Sequence, residues 1–271
     1  MTLFEFVGRY LEMRAVSPAY AATLKKRAAK LEVFAGRGEL RYCFHEQTIN
    51  AFLAQLEGVT PITKNKYRQD FLAVWRAAAD LDLVPYPQAR RLRKERVLPQ
   101  VVECYQEGEA RSLLGAAEKM AGAYPNGVAR RHYWPAVIRA GWDTGLRRGD
   151  LWRLRSQQIR KDGTAIIVQS KTASAVMVRF HRSTIQALEA AGGSLEWVMC
   201  AWCFSEHFQE IVKDCGINRG TFKWLRRGSG SIIEAEHPGG GHKQLGNTEQ
   251  VFRAHYDAKL GDANRPMVPE L

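Results

Sequence analysis

The stretch from Ala165 to Phe180 constrains the fold more than any other part of the chain. Two short runs rich in valine and isoleucine, Ala165 to Gln169 and Ala175 to Phe180, flank the connection Ser170 to Ser174. Short β-branched runs joined by a small polar loop predict an antiparallel hairpin, with Lys171 at its tip or edge. On both sides of it the apolar residues recur at helical spacing instead. The expected fold class is therefore mainly α with a small antiparallel β-sheet embedded in helices.

The first part of the chain is helical by pattern. Leu3, Val7, Tyr10 and Leu11 fall on one face, and Ser17-Pro18 supplies an N-cap followed by proline at the first helical position. The helix so started carries Tyr20, Leu24, Leu31 and Phe34 on one side, has Lys25, Lys26, Arg27 and Lys30 largely off it, and ends near Gly36 and Gly38. A third helix is expected around Ile49, Phe52, Leu53 and Leu56. A fourth starts near Thr60-Pro61 with Tyr67, Phe71, Val74, Trp75 and Ala78 as its stripe and Lys64, Lys66 and Arg68 in its first turns. Pro85, Tyr86 and Pro87, then Arg90, Arg91, Arg93, Lys94, Arg96 and Pro99, read as a charged connection. The expected organisation is a helical domain over 1–87, a basic linker over 88–103 and a mixed α and β domain over 104–271. In the last of these, helices are expected over Glu107 to Met120, through Ala136 to Ala140, and at Ser183 to Ala191, Ser205 to Cys215 and Lys223 to Ala235, before the break at Pro238 to Gly241.

Charge then selects the partner. With 40 Lys and Arg against 28 Asp and Glu, the chain carries a formal net charge of +12. That excess points to a polyanion, and nucleic acid is preferred to an anionic membrane surface. No run of 18 apolar residues is present, and Met1 to Arg14 carries Glu5 and Glu12 with no signal-peptide apolar region, so a soluble, cytosolic protein is expected. Five cysteines without a secretory signal argue against a disulfide framework. Cys200 and Cys203 form a CxxC with His207 and Cys215 after it, which raises a zinc site; no second CxxC or HxxxH completes it, and buried structural thiols are expected, with Trp202 and Phe204 beside them in the core.

Three further segments carry chemistry. Thr144-Gly145-Leu146-Arg147-Arg148-Gly149-Asp150 places an arginine at a glycine-permitted turn, with Asp150 expected to cap the next helix. Lys223-Trp224-Leu225-Arg226-Arg227 is a basic helical segment. Leu245-Gly246-Asn247 precedes Tyr256 by nine residues counted from Asn247.

In this order the residues resemble the tyrosine recombinase and phage integrase family over nearly the whole chain. Thr144 to Leu151 looks like the family's first arginine motif, with Arg147 as the arginine. Lys171 follows 24 residues later on a hairpin, as the family's lysine does. Lys223 to Arg227 resembles the HxLRH or HxLRR box, with Arg226 as the second arginine and Lys223 where histidine is usual. Leu245 to Asn247 resembles LGH with asparagine in place of histidine, and Tyr256 stands at the nucleophile's spacing. The resemblance implies a helical core-binding domain that clamps DNA plus an α+β catalytic domain. It also implies strand cleavage through a 3′-phosphotyrosine intermediate and a homotetramer on two double-stranded DNA sites, with neither cofactor nor metal.

The chemistry suits these residue types. Tyrosine oxygen attacks a backbone phosphate and displaces a 5′ oxygen, conserving bond energy, so no ATP is implied. Two planar guanidiniums, Arg147 and Arg226, match the non-bridging oxygens, and losing either is expected to cost about a hundredfold or more in rate. Lys171 is the candidate general acid. Asn247 cannot shuttle a proton but can donate an amide hydrogen bond, and Lys223 supplies charge without imidazole tautomers. His242, or His255 beside the nucleophile, is a candidate replacement imidazole. Arg148 or Arg227 is the alternative functional member of each arginine pair. Two readings stay open: an active recombinase, or a catalytically weakened DNA-binding relative acting as regulator or architectural protein. A metal-dependent nuclease lacks clustered carboxylates. Asp257 to Leu271 is either a tail that docks on a neighbouring subunit or a loose end.

Overall fold

A computed structural model of the chain describes residues 1–98 and 100–259. These form two compact units, Met1–Leu98 and the residues that follow.

The first unit is five helices: α1 (Leu3–Glu12), α2 (Pro18–Ala35), α3 (Leu40–Cys43), α4 (Glu46–Gln55) and α5 (Pro61–Ala79). Their starts follow from side-chain caps. Thr2 and Glu5 form a reciprocal capping box, and the Ser17 and Thr60 hydroxyls accept from Tyr20 N and Thr63 N, each at 3.3 Å. Gly36 ends α2 in a left-handed conformation, φ +65°. Phe6, Leu24, Leu31, Ile49, Phe52, Phe71 and Trp75 are buried together, as the apolar stripes require. The single turn α3 was not among the expected helices. Four residues without a side-chain cap are too short to show a period.

Two basic residues depart from expectation. Arg27, expected with the lysines off the apolar face, turns inward, pairs with Asp70 and lies 4.4 Å from the centre of the Tyr67 ring. Tyr20 Oη donates to the same carboxylate at 3.1 Å, and burial, then Asp70, pushes its phenol up to about 12. Arg68 also turns inward, donating to Leu92 O at 3.0 Å and Ala89 O at 2.8 Å. Lys25, Lys26, Lys30 and Lys66 stay exposed.

Part of the segment expected as a linker is built into this unit. Leu92 is buried in its core, and the Asn50 and Asn65 amides each make a pair of hydrogen bonds to the backbone, at Arg91 and Arg93 and at Glu95. Two side-chain amides thus replace a sheet partner for an extended strand of chain. Arg90, Arg91, Arg93, Lys94 and Arg96 project outward from it.

The second unit contains α6 (Glu107–Ala117), α7 (Arg130–Thr144), α8 (Arg148–Leu151), strands β1 (Thr164–Val168) and β2 (Ala175–Arg179), α9 (Arg182–Ala190), α10 (Ala201–Asp214), α11 (Phe222–Glu236), α12 (Gly241–Leu245) and α13 (Glu249–His255). The fold is thus mainly α with a small antiparallel sheet of two strands, in the register Thr164 opposite Arg179 to Val168 opposite Ala175. Ala165, Ile167, Val176 and Val178 face inward, while Ile166, Val168 and Met177 are exposed. Tyr133, Trp134, Val137 and Ala140 make α7 the buried centre, packed on α6, α9 and α11.

Three expectations are corrected here. Asp150 does not cap α8; Arg147 holds the cap position. The Asp150 carboxylate lies buried inside the turn and accepts from Ser170 N and Oγ, each at 2.8 Å, pinning the hairpin loop. Trp202 is 67% exposed, whereas Phe204 is buried as expected. Cys200 is exposed and Cys203 half-buried, since Cys200 caps α10 and the helix begins four residues earlier than the apolar pattern indicated. Among the described residues no cluster of three or more His, Cys, Asp or Glu is placed to hold a metal ion, and no helix is long and apolar enough to cross a membrane. Of the C-terminal segment, Asp257 to Lys259 follow α13, with Ala258 N donating to Ser231 Oγ at 2.8 Å; residues 260–271 lie outside the described residues.

Removing one member of the ion pair between α2 and α5 strands a charge away from water. Asp70→Ala is expected to lower stability by about 3–5 kcal/mol, whereas exposed Lys25→Ala changes it by under about 0.5 kcal/mol. Urea denaturation of the two variants beside the parent chain measures both; equal midpoints would remove the pair from the first unit's supports.

Candidate active site

The site begins where α7 stops. Gly145 takes φ +59°, and a methyl group there would run into Leu245 Cδ2, so both the conformation and the close approach require glycine. Thr144 Oγ1 donates to Ala140 O at 2.5 Å and accepts from Leu146 N at 3.2 Å, fixing the exit direction. Arg147 follows Leu146, and its guanidinium donates to Gln169 Oε1 and, at 3.0 Å, to Asn247 Oδ1.

Arg226 rises from α11 and is 4% exposed. It donates to Gly145 O, to Leu245 O at 2.8 Å and to Asn247 Oδ1 at 3.3 Å. One amide oxygen therefore receives both guanidiniums. That fixes the orientation of the Asn247 amide, because an NH2 group facing two cationic donors would be repelled. Its Nδ2 is left buried without a partner, as is Arg226 Nε. Two orphaned donors beside two cations are the complement of an anion.

Tyr256 closes α13 through Tyr256 N to Phe252 O at 2.8 Å, and its carbonyl accepts from Ser231 Oγ at 2.9 Å. Two cations lie over its ring, with Lys223 Nζ and Arg226 Cζ each 4.9 Å from the centroid. Burial pushes the phenol up, but the charges of Arg226, Lys223 and Arg147 outweigh it and hold Tyr256 below the ordinary 10.0. Lys223 is pushed down, first by burial and then by Arg227, Arg226 and Lys171, against the opposing pull of Tyr256. Burial also lowers Arg226, to about 10.

Arg147, Arg148, Lys171, Lys223, Arg226 and Tyr256 line one cavity of about 360 Å³, whose wall contains no acidic side chain. Lys171 stands exposed on the loop pinned by Asp150. Arg148 packs over Trp152 and Phe204 and donates to Ser205 Oγ at 3.2 Å, whereas Arg227 is spent on His255 O and Glu103 O. Neither histidine offered as a replacement imidazole lines the cavity. His242 keeps a buried Nδ1 without a partner, and His255 is exposed.

Sequence reasoning missed Gln169. It is 1% exposed, accepts from Arg147 and from Thr172 Oγ1, and donates to Leu245 O at 2.9 Å. It thereby joins the hairpin that carries Lys171 to both arginine-holding turns. The available signal was a long amide placed at an inward position just past β1.

No protein-family model and no curated protein matches the sequence. Solved structures do. A lambda integrase dimer bound to a COC′ core site aligns over 100% of both chains at 16% identity and TM-score 0.76. The fold is that of the tyrosine recombinases. A lambda integrase tetramer bound to a Holliday junction covers 92% of this chain and 79% of its own at 17% identity and TM-score 0.71. The Tn1549 transposon integrase in complex with circular intermediate DNA covers 97% and 98% at 12% identity and TM-score 0.65. At these identities the likeness to tyrosine recombinases is one of fold.

The electrostatics have a direct optical consequence. As pH rises, Tyr256 is expected to ionise ahead of an ordinary phenol, because the cations stabilise its phenolate. Lys223→Ala removes one of them and moves that ionisation to higher pH. The absorbance at 295 nm of the parent chain minus that of Tyr256→Phe follows it. A Lys223→Ala titration that coincides with the parent's would show that Lys223 does not act on the phenol.

Proposed function

We propose that this chain is a site-specific tyrosine recombinase of the integrase type, breaking and rejoining DNA strands through a 3′-phosphotyrosine. One observation carries the reading. Tyr256 lies in a cavity walled by five basic side chains and no acid, beside two buried donors that lack partners. A phosphodiester supplies what such a cavity lacks, and the tyrosine supplies the nucleophile.

In this mechanism the phosphate sits against Arg147 and Arg226, and Asn247 Nδ2 donates to one of its oxygens. Tyr256 first gives up its phenolic proton to solvent, as the charges of Arg226 and Lys223 favour, and the phenolate oxygen attacks phosphorus as the 5′ oxygen of the adjoining nucleoside departs, taking a proton from Lys171. One phosphodiester is exchanged for another, so the step draws on no ATP, and the guanidiniums take the charge-stabilising part that a metal would otherwise fill. Arg226, already committed to Gly145 O and Leu245 O, acts as a fixed positive charge with Nε for the substrate, while Arg147 releases Gln169 or Asn247 to engage it. Lys223, in the place where the family has histidine, stabilises the Tyr256 phenolate before attack. The first unit contributes phosphate contacts through Lys25, Lys26, Lys30 and Lys66, with the basic segment 88–103 leading into a catalytic domain over 104–271. A homotetramer on two double-stranded sites, in the cytoplasm with the nucleoid, completes the proposal. The structural neighbours crystallised on DNA, one of them as a tetramer, support it.

Asn247 in place of an imidazole favours a second reading, a regulator or architectural protein of the same fold that binds DNA with weakened cleavage. Covalent trapping separates the two. Nicked DNA carrying the sequence that flanks the gene is incubated with the protein in EDTA and resolved on a denaturing gel. A protease-sensitive adduct is expected, abolished by Tyr256→Phe and slowed about a hundredfold or more by Arg147→Ala. Tight, salt-sensitive binding with no adduct would establish the regulator.

A further inference from the structure

We propose that Cys200 and Cys203 are a redox-active dithiol, a modification site at the start of α10 that closes to an intramolecular disulfide when oxidised by a small disulfide such as oxidised glutathione. The capping geometry places them together. Cys200 holds the N-cap position of α10 with φ −66° and ψ 154°, and its Sγ accepts from Cys203 N at 3.4 Å. A capping side chain is drawn over the third residue of its helix, and here that residue is the second cysteine. The two sulfurs lie 2.9 Å apart.

Access differs between them in a useful way. Cys200 is exposed and Cys203 half-buried, so a dissolved oxidant meets Cys200 first. The Cys203 contact, followed by backbone N–H donors from Cys203 and Trp202, pulls the Cys200 thiol down, while the same contact raises Cys203. The other cysteines have no such partner. Cys43 and Cys104 are buried, their thiols pushed up to about 12 and about 11 by burial, and Cys215 donates to Ile211 O at 2.9 Å. His207, the nearest candidate for a zinc site, is engaged with Tyr124 Oη at 3.1 Å.

The chemistry balances without further reagents. Cys200 thiolate attacks one sulfur of oxidised glutathione, forming a mixed disulfide and releasing one glutathione thiolate. Cys203, deprotonated, then attacks Cys200 Sγ and displaces the second. The two protein thiols lose two electrons and two protons, and glutathione disulfide becomes two thiols. Arg148, which lines the cavity around Tyr256, donates to Ala201 O at 3.4 Å and to Ser205 Oγ, so the dithiol adjoins a helix turn that contacts the wall of that cavity.

The full chain is equilibrated in glutathione buffers of stepped ratio, quenched with acid, alkylated and digested with trypsin. The peptide Ser183–Lys213 contains Cys200 and Cys203 and no other cysteine. It is expected to lose two hydrogens in the native sequence, Cys203→Ser is expected to accumulate a glutathione adduct on Cys200, and Cys200→Ser to stay free of it. The closure constant of the folded chain should exceed that of the urea-unfolded chain by about tenfold or more, because the cap holds the sulfurs in contact. A peptide that stays fully alkylated, a mixed disulfide that persists in the native sequence, or equal constants folded and unfolded would each overturn the proposal.

Discussion

A single amide oxygen accepting from two guanidinium groups organises the second unit around its cavity. Asn247 Oδ1 is shared by Arg147 and Arg226, which reach it from different parts of the sequence. Two like charges converging on one point repel, so the arrangement needs compensation from fixed dipoles. Much of that comes from backbone carbonyls. Gly145 is the C-cap of α7 and Leu245 the last residue of α12, and both direct carbonyl oxygens at Arg226. A carbonyl at a helix C-terminus is unpaired within its own helix and carries partial negative charge, so the burial of Arg226 and the orphaned helix ends relieve each other.

That arrangement explains why glycine occurs at the two turns beside the arginines. Gly145 and Gly246 both take φ +59°, and an added methyl at Gly246 would run into Val176 Cγ2. Each turn brings a backbone carbonyl within reach of a guanidinium while the chain passes close to a neighbour. Gln169 ties the same turns to the hairpin loop, which Asp150 holds from the other side. The loop bearing Lys171 is therefore held at both shoulders while its lysine stays exposed.

Local signals made much of the fold legible. Ser17, Thr60 and Gly36 marked helix ends by the groups they offer to unpaired backbone, and the stripe from Tyr67 to Ala78 named the buried face of α5 before any packing was visible. The residues around the cavity were legible only through the family resemblance, which singled out Arg147, Lys171, Lys223, Arg226 and Tyr256 from distant parts of the sequence; the five line one cavity. What escaped was everything decided by a distant partner. Arg27 reads as one more surface cation until Asp70 is seen, Arg68 until the carbonyls of Ala89 and Leu92 are seen, and Gln169 as an ordinary polar residue until the arginine is in place. Trp202 failed in the opposite sense. Trp202 and Phe204 were both assigned to the core as neighbours of the CxxC, yet residues two apart on a helix face nearly opposite sides.

Lys223 is where the departure from the family pattern meets the physics of the cavity. An imidazole at this position would be a proton carrier near neutrality; an ammonium is first of all a charge. Beside Arg226, it is destabilised as a cation by the loss of surrounding water and by its neighbours, and Tyr256 is the group that pulls the other way. The destabilisation is thus coupled to the phenol: an ionised Tyr256 relieves Lys223 and Arg226 together, and the two cations favour its ionised form. In the proposed reaction, attack on phosphorus moves that negative charge from the phenolate towards the phosphoryl oxygens, away from Lys223 and onto the side of Arg147 and the orphaned Asn247 Nδ2. On the proposed reading, the charges that favour the phenolate are already fixed in place before a substrate arrives.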